Sequence, residues 1–391
     1  MKIIPRSLPA RIGIAIVIGI LVGLVAPEWL ARIAATFNML MARFLGFMIP
    51  LIIIGFVAPA IAGTGTRAGK LLVATALLAY VATFLAGLMS YGICHATYPA
   101  IIHAADVPAA EAEAAAVEVK AFFDVDLPPI LPVTTSLALA FLLGLGAAAT
   151  GGGAMRRGLD QLRDIVALTI ARAILPLLPP YIAGIFLVMT LEGRVGAILV
   201  TFAGIIGVIF VMHILILLLQ YAIAGAIARR NPLRMLRTML PAYLTALGTQ
   251  SSAATIPVTL RQTIKMGVSE DIAGFTVPLC ATIHMSGSTL KIVACAMALM
   301  MMHGLDCPLP LYLHFIAMLG ITIIAAPGIP GGAIMASLGL LGSILGFDAS
   351  MQGMMIALYI AMDSFGTACN VTGDGALAAI IDRFFGPARS R

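Results

Sequence analysis

The sequence predicts an all-α protein that crosses a membrane many times. Three observations carry this. Hydrophobic residues make up 61% of the 391 positions and charged residues only 10%, whereas charged side chains usually make up about a quarter of a soluble domain. Apolar runs of about 20 residues, enough to span a bilayer, recur along the chain. Basic and non-basic connections between them alternate, as the positive-inside rule requires.

The formal net charge of +6 therefore reads as basic cytoplasmic loops, with the lipid bilayer as partner and no nucleic acid. Cys94, Cys280, Cys295, Cys307 and Cys369 form no CxxC or other metal spacing, and the six histidines form no HExxH. Neither a metalloenzyme nor any other enzyme is expected, and no organic cofactor.

Lys2, Arg6 and Arg11 precede an apolar run that continues to about Ala26, which predicts an uncleaved first transmembrane helix and not a signal peptide. Spans are expected at roughly 12–34, 38–62, 69–95, 128–150, 161–190 and 194–225. With a basic N-terminus in the cytoplasm, Arg67 and Lys70 mark the next cytoplasmic turn. Arg156, Arg157 and Arg163 mark the following one, and Arg229, Arg230, Arg234 and Arg237 the third. The external connection over about 96–127 carries six acidic residues against one lysine, Lys120. Its Ala/Glu-rich part, 105–120, is read as surface without chemistry.

Beyond Asn231 the pattern changes. Residues 232–266 are interrupted by Gly248-Thr249-Gln250-Ser251-Ser252-Ala253-Ala254-Thr255-Ile256-Pro257. Each flanking arm is too short to span, so this reads as a re-entrant hairpin with a polar tip, opening from the cytoplasm. A long helix follows over about 271–302, broken by His284-Met285-Ser286-Gly287-Ser288. The arrangement then repeats: 310–346 is interrupted by Ala326-Pro327-Gly328-Ile329-Pro330-Gly331-Gly332, and a last helix runs from about Met355 to Phe385. Irregular backbone at membrane depth is tolerated where it lines a site, and paired interruptions in two halves of a chain point to a transporter's binding site. The competing reading is that the glycines serve helix packing.

In the last helix Asp363, Thr367, Asn370 and Asp374 fall at i, i+4, i+7 and i+11, on one face. An ionisable group inside a membrane costs a few kcal/mol or more unless partnered, so these four are the leading site candidates.

These segments together resemble the dicarboxylate/amino acid:cation symporter family, the glutamate-transporter homologues. The resemblance is specific over about 235–385 and rests mainly on segment order over 1–230. It implies eight transmembrane helices plus two re-entrant hairpins arranged as inverted repeats. It also implies a homotrimer and a transport domain that moves like an elevator against a scaffold. On that pattern, 1–68 and 96–190 are scaffold, and 69–95, 191–230 and 231–391 are transport domain. The expected home is the bacterial inner membrane.

The resemblance also implies residue roles. Asp363 would hold a substrate ammonium and Asn370 its α-carboxylate. Ser251 and Ser252 at the first tip would receive the same carboxylate, with Ser288 and Thr367 lining the pocket and Ile329 to Gly332 as outer lid. Asn370 and Asp374 would form one sodium site, completed by carbonyls near Cys280 and His284. A second would use carbonyls near Thr282 and over Ile323, Ile324 and Ala326. Oxygen ligands suit such a hard cation.

Departures matter equally. Where the family has Asn-Met-Asp-Gly-Thr, this chain has His284-Met285-Ser286-Gly287-Ser288, and Leu78 and Ala79 replace a Thr-Ser pair. Both remove a third sodium site, so fewer coupled cations are expected. Gly366 stands where the family's substrate-gripping arginine would, and Gln250 shows that none is supplied from the first tip. This resembles the neutral amino-acid and serine/threonine branches. Lys291 resists simple placement. It supplies the charge that Gly366 lacks and so favours an acidic substrate, or it pairs with Asp363 or Asp374 in place of a sodium ion, or it is structural. His284 divides similarly, between a proton-carrying imidazole and a packing side chain. The expected function is symport of an amino acid, small and neutral, with sodium. The alternatives are proton coupling or an acidic substrate and, from another class, an anion channel or a substrate sensor.

Overall fold

The computed structural model describes residues 8–63, 69–102, 119–150, 153–191, 195–323 and 331–386. Among these residues there are helices and no strands. In chain order they are α1 (Leu8–Gly23), α2 (Glu28–Gly63), α3 (Gly69–Thr97), α4 (Val133–Ala149), α5 (Gly153–Thr169) and α6 (Leu175–Leu191). Then come α7 (Val195–Ala228), α8 (Pro232–Thr249), α9 (Ser252–Lys265), α10 (Glu270–Ile283) and α11 (Ser286–Met302). The last are α12 (Leu309–Ile323), α13 (Gly332–Leu345), α14 (Ala349–Ala361) and α15 (Asp363–Phe385). The Ala/Glu-rich stretch lies largely outside the described residues.

Three boundaries differ from those expected. The first span does not run through to residue 34: α1 stops at Gly23, and α2 runs unbroken for 36 residues. Proline is the cause. Pro27 has no amide to continue a helix, yet its carbonyl accepts from Leu30 (3.0 Å) and starts the next one. Residues 35–37 contain no breaker, and the Thr36 hydroxyl is satisfied by the Arg32 carbonyl at 2.6 Å. The fourth span starts at Val133 and not at 128, because Pro128, Pro129 and Pro132 hold the chain out of a helix. The segment expected at 161–190 is continuous from Gly153, joined by a π turn at Ile170–Ile174.

Among the described residues, five helical stretches are long and apolar enough to cross a bilayer, or six if the bent α14–α15 pair is one span. The chain is thus a multi-pass membrane protein. Helices α1 and α4, with 16 and 17 residues, are shorter, so length and apolarity alone do not yield the expected eight.

The helices pack in two groups. In one, α2 lies against α4, α5 and α6, and α1 lies against α6. In the other, α15 is surrounded by α7, α8, α9, α10 and α11, with α3 against α11. Helices α13 and α14 touch both groups, through α2 and through α1 and α6. Every residue of α11 from Ser286 to Met300 is buried, so anything polar on it needs a partner from protein.

Local signals fix the second group. Asn231 caps α8, accepting from the Arg234 amide at 3.0 Å, with Pro232 at the first helical position. Helices α8 and α9 form the expected helical hairpin. Its turn is Gln250, in the left-handed region at φ 54°, followed by Ser251, which caps α9 by accepting from Ala254 at 3.3 Å. Arg230 clasps the base of this hairpin, donating to the carbonyls of Met266 (3.0 Å) and Gly267 (2.6 Å). Asp382 ties the end of α15 to the start of α10, accepting from the Ser269 amide (3.0 Å) and hydroxyl (2.6 Å).

Candidate substrate and cation site

The last apolar run is not one helix. It breaks at Met362 with a bend of 62°, and Asp363 opens α15. The four polar positions keep their expected spacing because all lie on α15. All four are buried, Asp363 at 4% exposure and Asp374 at 1%. They face protein and not lipid.

Asp363 uses both oxygens. Oδ1 accepts from the Lys291 ammonium at 3.0 Å, and Oδ2 accepts from the Gly331 backbone amide at 2.7 Å. Gly331 precedes α13 with φ 74°, a conformation that glycine adopts freely. The second hairpin's tip is thus fastened to α15 by one carboxylate. Lys291 is fully buried. Its Nζ also donates to the Tyr359 carbonyl at 3.3 Å and lies 3.4 Å from the centroid of the Tyr359 ring. Of the partners expected for Lys291, the structure selects Asp363 over Asp374. A Cβ on Gly366 would lie 2.8 Å from Nζ. The absent side chain is what lets the lysine through.

Asn370 joins α15 to the start of α11. Its Oδ1 accepts from the amides of Gly287 (2.8 Å) and Ser288 (3.2 Å), and its Nδ2 donates to Ser288 Oγ at 2.9 Å. It satisfies two of the free amides at the start of α11. Ser288 Oγ also accepts from the Tyr359 hydroxyl at 3.1 Å. The amide of Met285, in the break itself, donates to Thr83 Oγ1 at 3.3 Å.

The third cluster lies one turn further along α15. His284 Nδ1 donates to Asp374 Oδ1 at 2.9 Å. Gln220, from α7, uses its amide nitrogen toward His284 Nε2 (3.3 Å) and Ser286 Oγ (3.1 Å). His284 thus bridges α7 and α15, with one ring nitrogen on Asp374 and the other on Gln220. Among the described residues, Asp374 Oδ2 and Gln220 Oε1 have no hydrogen-bond partner. Both are buried oxygen acceptors, the chemistry a sodium ion takes.

The other expected positions are less central. Ser251 acts as a helix cap, and Ser252 is the buried first residue of α9. The Cys280 carbonyl accepts from the His284 amide at 2.8 Å. Thr282 is exposed, and its hydroxyl donates to the Leu279 carbonyl at 2.8 Å. Thr367, Ile323 and Gly332 are buried. Ile324, Ala326 and Ile329 lie outside the described residues. The sequence reading missed Gln220 and Tyr359, and it placed Gly331 within the lid without its contact to Asp363. Gln220 was findable as a lone amide inside a 34-residue apolar helix. Tyr359 looks like packing in sequence, and the Gly331 contribution is backbone.

A helical, multi-pass protein with charged side chains buried at helix breaks and hairpin tips belongs to the class of membrane transport proteins. More particularly, the chain belongs to the sodium:dicarboxylate symporter family, whose sequence model matches residues 8–384. It is similar to the serine/threonine transporter SstT of Enterococcus faecalis, 26% identical over 94% of this chain and 89% of that one. Similarity to the serine/threonine transporters SstT of Streptococcus thermophilus and Acinetobacter baumannii is also 26%, over 96% of both chains in each case. The family and these relatives are transporters, not enzymes.

Proposed function

We propose that the chain is a symporter for a small neutral amino acid, serine or threonine, driven by sodium. The observation that carries this is Asp363: a buried carboxylate whose two partners, a flexible ammonium and the amide of a hairpin tip, are both exchangeable. A substrate ammonium suits it as a charge-assisted donor. Gly366 leaves no arginine to grip an acidic side chain, and the relatives' names favour serine and threonine. Sodium is supported by the family and by the unpartnered oxygens at Asp374 and Gln220.

In this reading α8–α9 and α12–α13 are re-entrant hairpins. The α15-centred group carries substrate, the α2-centred group is the scaffold, eight spans cross a bacterial inner membrane, and three copies assemble. Substrate is occluded when the second tip docks on Asp363. Cation and substrate favour the same closed state, and that reciprocity is the coupling. Proton coupling is the second reading, favoured by the His284 imidazole on Asp374. The test is counterflow of labelled L-serine in proteoliposomes, with and without sodium, at pH 6 and pH 8. Exchange that requires sodium at both values supports the first reading. Exchange indifferent to sodium but dependent on pH supports the second. No exchange of any of the twenty amino acids, with anion conductance instead, identifies a channel.

A further inference from the structure

Lys291 poses a problem that the site as described does not resolve. It occupies the oxygen of Asp363 that a substrate ammonium would need. We propose that Lys291 is a tethered ammonium that holds Asp363 in the empty site. It passes to the substrate's carboxylate when the substrate's ammonium takes Asp363. This rests on the amino-acid reading above and deepens it, since it makes the zwitterionic head of the substrate the thing recognised.

Three features support the exchange. The first is charge. Lys291 and Asp363 together are neutral and fully enclosed, and enclosed ions are stable only when matched. A zwitterion turns one ion pair into two and leaves the net charge unchanged. A dicarboxylate would set two negative charges against one lysine, and a simple amine would leave Lys291 with no anion. The second is the contact with Gly366. An added Cβ there would stand 2.8, 3.0 and 3.5 Å from Nζ, Cε and Cδ of Lys291, so on that side the flexible four-carbon stem meets a hydrogen in place of a side chain. The third is division of labour on Asp363. The lid amide is on Oδ2 and the lysine on Oδ1. A substrate ammonium on Oδ1 therefore leaves Oδ2 available for the tip to dock on. The substrate's two charges sit on one carbon, a spacing comparable with the 3.0 Å between Lys291 and Asp363.

The experiment uses the purified full chain and three probes sharing one skeleton: L-serine, ethanolamine (no carboxylate) and L-glycerate (hydroxyl for ammonium). Binding is read by calorimetry in sodium. Wild type is expected to bind L-serine and neither of the others. Lys291→Met is expected to lose at least about tenfold in L-serine affinity and to acquire ethanolamine binding, because Asp363 is then unpaired. Wild type taking ethanolamine or L-glycerate within about threefold of L-serine, a gap under 1 kcal/mol, overturns the proposal without any variant. So does a Lys291→Met protein with unchanged L-serine affinity that still refuses ethanolamine. Should Lys291→Met not fold, the wild-type comparison decides. If wild type binds no amino acid at all, the amino-acid reading itself falls and takes this with it; if it binds L-serine while the lysine is indifferent, only this inference falls.

Discussion

Gly366 and Lys291 are complementary: the missing side chain of one is the volume filled by the ammonium of the other, with 2.8 Å between Nζ and the position of a Cβ on the glycine. A positive charge in this part of the site therefore arises from α11 and not from α15. The two positions form a unit, and neither is interpretable alone.

Adding a methyl group at this point tests that unit. Gly366→Ala is expected to leave the fold intact, because the atom it meets is the end of a flexible side chain. It shifts Nζ off Asp363 and is expected to reduce L-serine affinity by about five- to tenfold, the loss of roughly one charge-assisted hydrogen bond. Calorimetric titration checks it.

The ion pair itself predicts a non-additive stability cycle. Lys291→Met or Asp363→Leu alone strands a buried charge, at about 3–5 kcal/mol each. The double variant removes both charges and is expected to recover part of the summed loss, with a coupling energy of about 1–3 kcal/mol. Thermal unfolding in detergent of the four proteins measures it; additive losses would mean that the two charges are not coupled.

Asp363→Asn keeps shape and loses charge. It is expected to abolish amino-acid exchange while the protein stays folded. Counterflow at wild-type rate in that variant would remove the ammonium role.

The break between α10 and α11 was legible from His284-Met285-Ser286-Gly287-Ser288, since a polar, small-residue cluster interrupts the apolar pattern that a continuous buried helix would keep. The tip at Gln250 and Ser251 was legible for the same reason, through turn and cap chemistry. The partners at the break were not. Gln220 is 64 residues before His284, and a pairing over that distance is fixed by helix packing, not by local pattern. The kink at Met362 was equally hidden: the run from Met355 to Phe385 contains no proline to announce it. Family resemblance points Asn370 at substrate, and it gave no sign that the same carboxamide spans the start of α11.

Asn370→Ala is accordingly expected to destabilise the protein by about 2–4 kcal/mol, because two backbone amides and the Ser288 hydroxyl lose a buried partner. If Asn370 served substrate only, stability without ligand would not change. A shift in unfolding temperature of the ligand-free protein separates the two.

Gly373 lies against the third cluster. A Cβ there would stand 2.6 Å from both Gln220 Oε1 and His284 Cε1. Gly373→Ala is expected to cost about 1–3 kcal/mol through overpacking and to weaken the sodium dependence of serine uptake, since it pushes His284 and Gln220 away from Asp374. Uptake against sodium concentration measures the second effect.

The contact between Gly331 and Asp363 has a consequence for how the second tip tolerates change. Its donor belongs to the main chain, and every residue except proline offers the same N–H. Scanning mutagenesis along the tip would report only on its bend. The chemical identity of the latch is written entirely at position 363, 32 residues downstream.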